Sequence, residues 1–307
     1  MGPLPDPPAT LALTREEPLA RHTYLRVGGP AAYFGVPQDL EALGAIAQWA
    51  AEVGLPLRVV GGGSNMLVSD DGVRAVVVSL RRACAQIAFH DATVEAGAAV
   101  MLPALAKAAA ERGLGGLEFA IGIPGSVGGA LQTNAGIGDG RCIGPLVDQV
   151  EVWRDGARVA LDAADIGFEY RHTSLRGSGD IVLAATLALE PRPRAEVEAE
   201  MRRLLETRQR TQPTAEPNAG SVFRNPPDDS AGRLIEAAGC KGLSIGAARV
   251  SDLHANFIVH DGHASASDIA AVMAEVQRRV SAASGVRLRP EVEWWGEGDP
   301  PEAFRSR

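Results

Sequence analysis

The chain has 307 residues, a length that suggests two domains of roughly 100–200 residues each. Its composition is that of an ordinary globular protein, 46% hydrophobic and 22% charged. Thirty Lys and Arg against 38 Asp and Glu give a formal net charge of −8. This acidic balance argues against general binding to nucleic acid or to an anionic membrane surface.

The cysteines and histidines show no spacing typical of a disulfide framework or a metal site. Cys84, Cys142 and Cys240 form no CxxC or CxxH motif, so we expect no metal and a reduced, cytoplasmic protein. The first residues lack the basic and apolar regions of a signal peptide, and no apolar run could span a bilayer. Residues 1–18 are predicted to be a disordered or loosely attached arm.

Helical and strand patterns alternate in the first third of the chain. Apolar residues at helical spacing predict helices over 39–53 and 101–112, which Gly54 and Gly113 end. Short apolar runs predict the following strands: 57–60, 66–68 and 76–78.

Two glycine-rich segments interrupt these elements, GGGSN at 61–65 and GIPGSVGG at 122–129, the latter closing on Asn134-Ala135-Gly136. We expect no regular helix in the second segment. A P-loop or Rossmann motif is excluded because GGGSN lies between two strands and lacks Gly-Lys-Ser/Thr. Backbone N–H groups of both segments could cradle the phosphates of a dinucleotide, with Thr23 and Val27-Gly28-Gly29 as a third edge. A tight structural loop is the equal alternative.

The second half begins with predicted antiparallel strands over 147–153, 157–161 and 181–189. An exposed amphipathic helix over 194–210 follows, with i,i+4 charge pairs such as Glu198 with Arg202, and a domain boundary is expected near 195. The remaining predicted elements are helices 231–238 and 268–283, the latter with Ser267 as N-cap, and a strand over 256–259.

Six motifs occur in one order over residues 20 to 296: TYLRVGG, GGGSN, GIPGSVGGA with NAG, YRHTS, NAGSVFRNP and RPEV. Together they resemble the UDP-N-acetylenolpyruvoylglucosamine reductase family, in its shorter branch that lacks a tyrosine-bearing loop. The resemblance implies an α+β fold with a two-lobed FAD-binding domain of the vanillyl-alcohol-oxidase (PCMH) type. The implied FAD-binding domain covers 19–194, with lobes at about 19–82 and 83–194, and a substrate-binding domain at 195–299 precedes a tail at 300–307.

The resemblance further implies bound FAD, NADPH as reductant, and reduction of UDP-N-acetylglucosamine enolpyruvate to UDP-N-acetylmuramate in peptidoglycan precursor synthesis. Its catalytic positions fall on Arg171, Ser221 and Glu291, and Asn225 falls on a substrate-binding position. No obligate protein partner is implied. The expected cofactor contacts are Gly61, Gly62, Gly63, Ser64, Asn65, Gly122, Ile123, Pro124, Gly125, Ser126, Gly128, Asn134, Ala135 and Gly136.

Arg224 and Lys241 could bind the diphosphate of UDP, although ordinary surface placement is equally expected. Two departures from the family pattern stand out: Ile137–Gly140 after the NAG motif, and His260 in place of the usual Asn. Two other functions remain open. One is another FAD oxidoreductase acting on an alcohol or lactone, and the other is a non-catalytic flavin or nucleotide-sugar binding protein.

The residue types suit the implied reaction. Arg171 offers a planar fork of donors to a carboxylate, Ser221 can deliver a proton when held in line, and Glu291 can hold geometry or, if protonated, polarise the substrate. Each also has a structural alternative. Arg171 could pair with Asp165 or Glu169, Ser221 could be a turn residue after Gly220, and Glu291 could be an exposed strand residue.

Overall fold

The computed structural model describes residues 4–305. The helices are α1 (Leu40–Glu52), α2 (Leu102–Ala110), α3 (Val127–Thr133), α4 (Arg194–Thr211), α5 (Ala231–Ala237) and α6 (Ala266–Ser284). The strands are β1 (Thr14–Pro18), β2 (Pro30–Gly35), β3 (Leu57–Val59), β4 (Met66–Val68), β5 (Val73–Val78), β6 (Ile87–His90), β7 (Thr93–Gly97), β8 (Leu114–Gly115), β9 (Val147–Arg154), β10 (Ala157–Asp162), β11 (Phe168–Glu169), β12 (His172–Thr173), β13 (Ile181–Ala188), β14 (Glu190–Pro191), β15 (Ser244–Ile245), β16 (Ala248–Val250), β17 (Ile258–His260) and β18 (Glu293–Trp295). Within residues 4–305, no helix has the length and apolar character needed to cross a membrane.

Helices with a continuous apolar stripe begin and end close to their predicted bounds. In α1 the buried side chains include Leu43 and Ile46, and Asp39 caps the helix by accepting a hydrogen bond from the N–H of Ala42 at 2.8 Å. The predicted strands are also present, but β5 begins three residues earlier than predicted, at Val73, and β17 begins two residues later, at Ile258.

The expectation of no helix in the second glycine segment is wrong. Ser126 caps α3 by accepting a hydrogen bond from the N–H of Gly129 at 3.4 Å, and Asn134 ends the helix in a left-handed conformation with φ 44°. Val127, Ala130 and Leu131 are buried at helical spacing. Their burial outweighs the low helix propensity of the two glycines, because tertiary packing supplies most of the stability of a short helix.

Two local predictions are also wrong. The N-cap of α6 is Ser265, which forms a capping box with Asp268, whereas Ser267 donates its hydroxyl to Asp70 at 2.6 Å. In α4, Glu198 pairs with Arg194 at 2.6 Å rather than with Arg202.

The chain forms two compact units, each discontinuous in sequence. Of the described residues, unit 1 contains 4–13, 34–62 and 76–208, and unit 2 contains 14–33, 63–75 and 209–305. The predicted contiguous domain bounds stay predictions. Of the predicted arm, residues 14–18 form β1, and residues 1–3 lie outside the described residues, as do 306 and 307 of the predicted tail.

Unit 1 is built on a five-stranded antiparallel sheet in the order β10-β9-β13-β7-β6. Its central strand β13 pairs Ala184 with Gly97 of β7 and Val182 with Val152 of β9. α3 packs against β7 and β13. In the same unit β3 runs parallel to β5, with Leu57 opposite Val76.

Unit 2 contains the sheet β15-β16-β17, on which α6 packs, and the parallel pair β4–β18 with Met66 opposite Glu293. Its hydrophobic core joins Leu25, Val27 and Leu67 to side chains of the C-terminal third, such as Phe223. The segments 14–33 and 63–75 therefore share one core with 209–307.

Candidate active site

The structure brings parts of the two glycine segments together in unit 1. A Cβ added at Gly62 would lie 2.8 Å from the Cα of Gly125, and a Cβ at Gly61 would overlap the Oγ of Ser126. The two backbones can approach this closely only because residues 61 and 62 have no side chain.

This glycine cradle fits the phosphates of a bound FAD. Gly61 is exposed and Gly62 is half-buried, whereas Gly125 and Ser126 are buried beneath them. Main-chain N–H groups can bind phosphate without a basic residue, and Gly61 and Gly62 are the residues that would hold the cofactor there.

Other predicted cofactor contacts have main-chain groups that are already hydrogen-bonded to residues of the protein. Gly128 donates its N–H to the carbonyl of Ala98 at 2.9 Å, which favours a packing role against the sheet. Ala135 donates to Ala130 and accepts from Ile143, both at 2.9 Å. The predicted segment Gly122–Pro124 is half-buried.

Arg171 lies in the turn between β11 and β12 of unit 1, in an unusual backbone conformation with φ 55°. Its Nη2 donates to the carbonyl of Gly136 at 3.0 Å, and its guanidinium carbon lies 5.4 Å from the centroid of the Tyr170 ring. The guanidinium is therefore joined directly to the Asn134-Ala135-Gly136 segment.

Ser221 and Glu291 lie on two paired segments of unit 2. Glu291 donates its N–H to the carbonyl of Val222 at 2.8 Å, Arg224 donates to Arg289 at 2.9 Å, and Phe223 forms an antiparallel bridge with Pro290. Ser221 thus adjoins the residue that is bonded to Glu291. Both side chains are half-buried.

The GGGSN segment continues into unit 2 and contacts both the N-terminal motif and Glu291. The position of a Cβ at Gly63 is filled by the carbonyl oxygen of His22 and lies 2.9 Å from the Cα of Thr23. Asn65 donates its Nδ2 to the carbonyl of Glu291 at 3.2 Å and accepts from the N–H of Glu293 at 3.0 Å. Ser64, between them, is half-buried.

Sequence reasoning missed two asparagines that hold the Ser221 segment. Asn218 accepts the N–H of Gly220 at 2.9 Å and donates to the carbonyl of Pro213 at 2.9 Å. Asn256 is 2% exposed and bonds both main-chain groups of Phe223, at 3.0 and 2.8 Å. The Asn-x-Gly pattern of a local side-chain turn could have revealed the first, whereas no local pattern signals the second.

The predicted substrate contacts of unit 2 are partly engaged with their own surroundings. Asn225 is exposed, and its Oδ1 accepts from the N–H of Ala231 at the start of α5 at 3.0 Å. The Nζ of Lys241 lies 2.8 Å from Glu236, which favours ordinary surface placement. Arg224 is half-buried.

A surface cleft of about 920 Å³ in unit 1 is lined by none of the predicted site residues. Its arginines are paired with carboxylates: Arg141 and Arg203 with Glu200, and Arg192 with Glu118. Hydrogen bonds from Arg203 and Arg141 lower the pKa of Glu200 to about 2. The cleft therefore has no excess positive charge with which to bind a phosphate.

Two family models match this chain. Residues 31–154 match the FAD binding domain, and residues 212–295 match the C-terminal domain of UDP-N-acetylenolpyruvoylglucosamine reductase. Together with the glycine cradle, the first match identifies a flavoprotein that binds FAD.

Similar proteins identify the family. The chain is 47% identical over 284 residues to UDP-N-acetylenolpyruvoylglucosamine reductase 2 of Symbiobacterium thermophilum, covering 92% of each chain. It is 45% identical over 289 residues to the reductase of Moorella thermoacetica, covering 94% of this chain and 95% of that one. The crystal structure of the Thermus caldophilus reductase superposes with a TM-score of 0.77 at 37% identity, covering 92% and 98% of the two chains. The chain belongs to the UDP-N-acetylenolpyruvoylglucosamine reductase family, and the predicted fold class and FAD are confirmed.

Proposed function

We propose that the protein is an NADPH-dependent reductase that converts UDP-N-acetylglucosamine enolpyruvate to UDP-N-acetylmuramate. The observation that carries this proposal is the pairing of the Ser221 and Glu291 segments through the hydrogen bond from Glu291 N–H to Val222 at 2.8 Å. A bound FAD would supply the redox chemistry, carrying two electrons from NADPH to the enol ether as hydride at its terminal carbon. The work left to the protein is to bind the substrate, orient it and add one proton.

Arg171 binds the substrate carboxylate in this proposal. Hydride addition leaves negative charge on the carbon that carries the ether oxygen and the carboxylate. A guanidinium spreads its own charge over a planar fork and stabilises such charge where it develops. Its bond to Gly136 fixes one end of the fork.

Ser221 donates the proton to that same carbon. A serine hydroxyl is a weak acid in water, but the carbanion that it meets is a strong base, and a positioned acid contributes about 10²–10⁴-fold. Glu291 orients the substrate in this proposal. Its main chain is hydrogen-bonded to Val222, the residue after Ser221, and to Asn65.

The proposed setting is the cytoplasm, with a small nucleotide sugar as partner. Cys84, Cys142 and Cys240 are all free thiols, as is usual for proteins of reducing compartments.

The proposal is tested by separating the two half-reactions in FAD-loaded enzyme by stopped-flow absorbance. In Ser221→Ala we expect flavin reduction by NADPH to stay within about twofold of the unaltered protein. Reoxidation by the enolpyruvyl nucleotide sugar should slow by about 10²–10⁴-fold, because only that step needs the proton.

Ser244→Ala is the matched control, since Ser244 is an exposed serine of unit 2 on β15. Equal slowing of both half-reactions in Ser221→Ala would refute the proton-donor role. Failure of the unaltered, FAD-loaded protein to oxidise NADPH with the enol ether would refute the reductase itself, and turnover with oxygen alone would favour an oxidase.

A further inference from the structure

The short segment that carries Arg171 is fastened to the end of α3 at three points. The Oγ1 of Thr173 donates to the carbonyl of Leu131 at 2.9 Å, and Asn134 Nδ2 donates to the carbonyl of Glu169 at 3.0 Å. Arg171 itself donates to Gly136 at 3.0 Å. Residues 169–173 therefore follow the main chain of residues 131–136.

Asn134 is the central residue of this attachment. It is 8% exposed, and its Oδ1 accepts the N–H of Gly144 at 3.0 Å while its Nδ2 holds Glu169. A carboxamide is neutral and has both a donor and an acceptor, so it can join two main-chain groups of opposite kind. A buried amide with these bonds is costly to remove, since its partners would be left unsatisfied.

The backbone of Arg171 needs such support. Its φ of 55° lies in the left-handed region, which is unfavourable for a residue other than glycine. Conformations of this kind persist where the surroundings hold them. The bond from Asn134 fixes the carbonyl of Glu169, two residues before Arg171, on the entry side of the turn.

We propose that Asn134 is a positioning residue for Arg171 rather than a ligand of the cofactor. This inference rests on the proposed function, in which Arg171 binds the substrate carboxylate. In this role the NAG segment sets the orientation of the Arg171 guanidinium by holding the backbone of residues 169–171. FAD binding and reduction by NADPH do not depend on that angle.

The test compares Asn134→Gly, Asn134→Asp, Arg171→Ala and the double variant Asn134→Gly/Arg171→Ala. Glycine keeps the left-handed backbone and loses both side-chain bonds, whereas aspartate keeps the acceptor for Gly144 and loses the donor to Glu169. We expect both single Asn134 variants to retain FAD and to be reduced by NADPH within about twofold of the unaltered protein. Flavin reoxidation by the enolpyruvyl sugar should slow about tenfold or more, a loss worth roughly 1.4 kcal/mol in the barrier.

The double variant distinguishes positioning from general damage. If Asn134 acts through Arg171, Asn134→Gly causes no further slowing of reoxidation in the Arg171→Ala background. Additive losses would overturn the inference, and loss of FAD from Asn134→Gly would make Asn134 a cofactor ligand. Asp91→Gly is the matched control, because Asp91 has a similar φ of 51° in an exposed hairpin turn of unit 1.

A second readout does not require turnover. Amide hydrogen exchange over residues 169–173 should be faster in Asn134→Gly than in the unaltered protein, because the turn has lost its anchor. Unchanged exchange would overturn the inference. Faster exchange in a protein that fails to convert the enol ether would instead refute the proposed function and leave the anchoring of the turn in place.

Discussion

At the scale of single residues, asparagine carboxamides hold the main chain at or beside each of the three proposed catalytic residues. Asn134 bonds Glu169 before Arg171, Asn218 bonds Gly220 before Ser221, and Asn65 bonds Glu291 itself. Because a carboxamide is neutral, it fixes the backbone without adding a charge that would compete with the guanidinium or the carboxyl.

The pair Glu118–Arg192 is a residue-scale test of stability in unit 1. The side chain of Glu118 is 6% exposed, lies 2.7 Å from Arg192 and accepts the N–H of Gly116 at 2.7 Å. Arg192→Met should lower the free energy of unfolding by about 2 kcal/mol in urea titrations, since it removes the cation from a buried carboxylate and leaves it only the N–H of Gly116.

Replacing both partners, as Glu118→Leu/Arg192→Met, should restore most of that stability. Arg194→Met is the surface control, because the exposed pair of Arg194 with Glu198 is worth at most about 1 kcal/mol. Equal losses in Arg192→Met and Arg194→Met would contradict the prediction.

The three asparagine supports differ in how far the local sequence reveals them. Asn218 binds within its own turn, and the local Asn-x-Gly pattern signals it. The partner of Asn134 is 35 residues away, and the partner of Asn65 is 226 residues away. No local pattern can specify contacts that form only when the fold brings distant segments together, and the sequence predicts these two residues only as cofactor contacts.

At the scale of elements, α4 is tied to the turn after the NAG segment by charge. Glu200 on α4 accepts hydrogen bonds from Arg203 at 2.6 Å and from Arg141 at 2.9 Å, and Arg141 also pairs with Asp139. The sequence predicts an exposed helix with charge pairs along its own length. Glu200 reaches Arg141 only because the fold brings α4 beside residues 139–141, so the local sequence does not reveal this link.

This link predicts an acid dependence of stability. Arg203 and Arg141 lower the pKa of Glu200 from 4.5 to about 2 in the folded protein. A carboxyl with a lowered folded pKa stabilises the fold above its unfolded pKa, and this contribution is lost as the pH falls from about 5 toward 2. Glu200→Gln should lower the free energy of unfolding by about 1 kcal/mol at neutral pH and should leave it unchanged near pH 2.

The measurement is the free energy of unfolding from urea titrations across that pH range. The slope of this free energy against pH should be shallower in Glu200→Gln than in the unaltered protein. Parallel curves for the two proteins would contradict a folded-state role for Glu200.

Elements with a long apolar stripe or a regular alternation were predicted within a few residues, whereas α3 was missed. In α1 and α6 the local pattern and the tertiary burial agree. In α3 they conflict, because Gly128 and Gly129 disfavour a helix while Val127 and Leu131 are buried by the sheet. Burial by distant strands decides that conflict, and local propensity contains no information about it.

At the scale of the whole molecule, unit 2 is assembled from three separated stretches of chain. Its core contains Leu25, Val27 and Leu67, and Asp70 accepts the N–H groups of Ala266 at 2.7 Å and Ser267 at 2.9 Å at the start of α6. The folding of the C-terminal third therefore depends on contacts with residues from the first quarter of the chain.

Isolated residues 209–307 should accordingly fail to fold cooperatively. This fragment lacks β4, the partner of β18, and the three core side chains of the earlier segments. We expect a broad, non-sigmoidal urea transition by circular dichroism, compared with a cooperative one for the full chain. A fragment with a sharp transition and protected amides in α6 would contradict the prediction.

The distance along the chain between Asn65 and Glu291, 226 residues, also sets an order of events on the ribosome. At about 5–20 residues per second, roughly 10 to 45 s separate the emergence of the two partners. Throughout that interval β4 lacks its partner strand β18, and a chain released before residue 293 has no strand to pair with it. The hydrogen bond from Asn65 to the carbonyl of Glu291 therefore forms only late in translation, and a chain released earlier cannot form it.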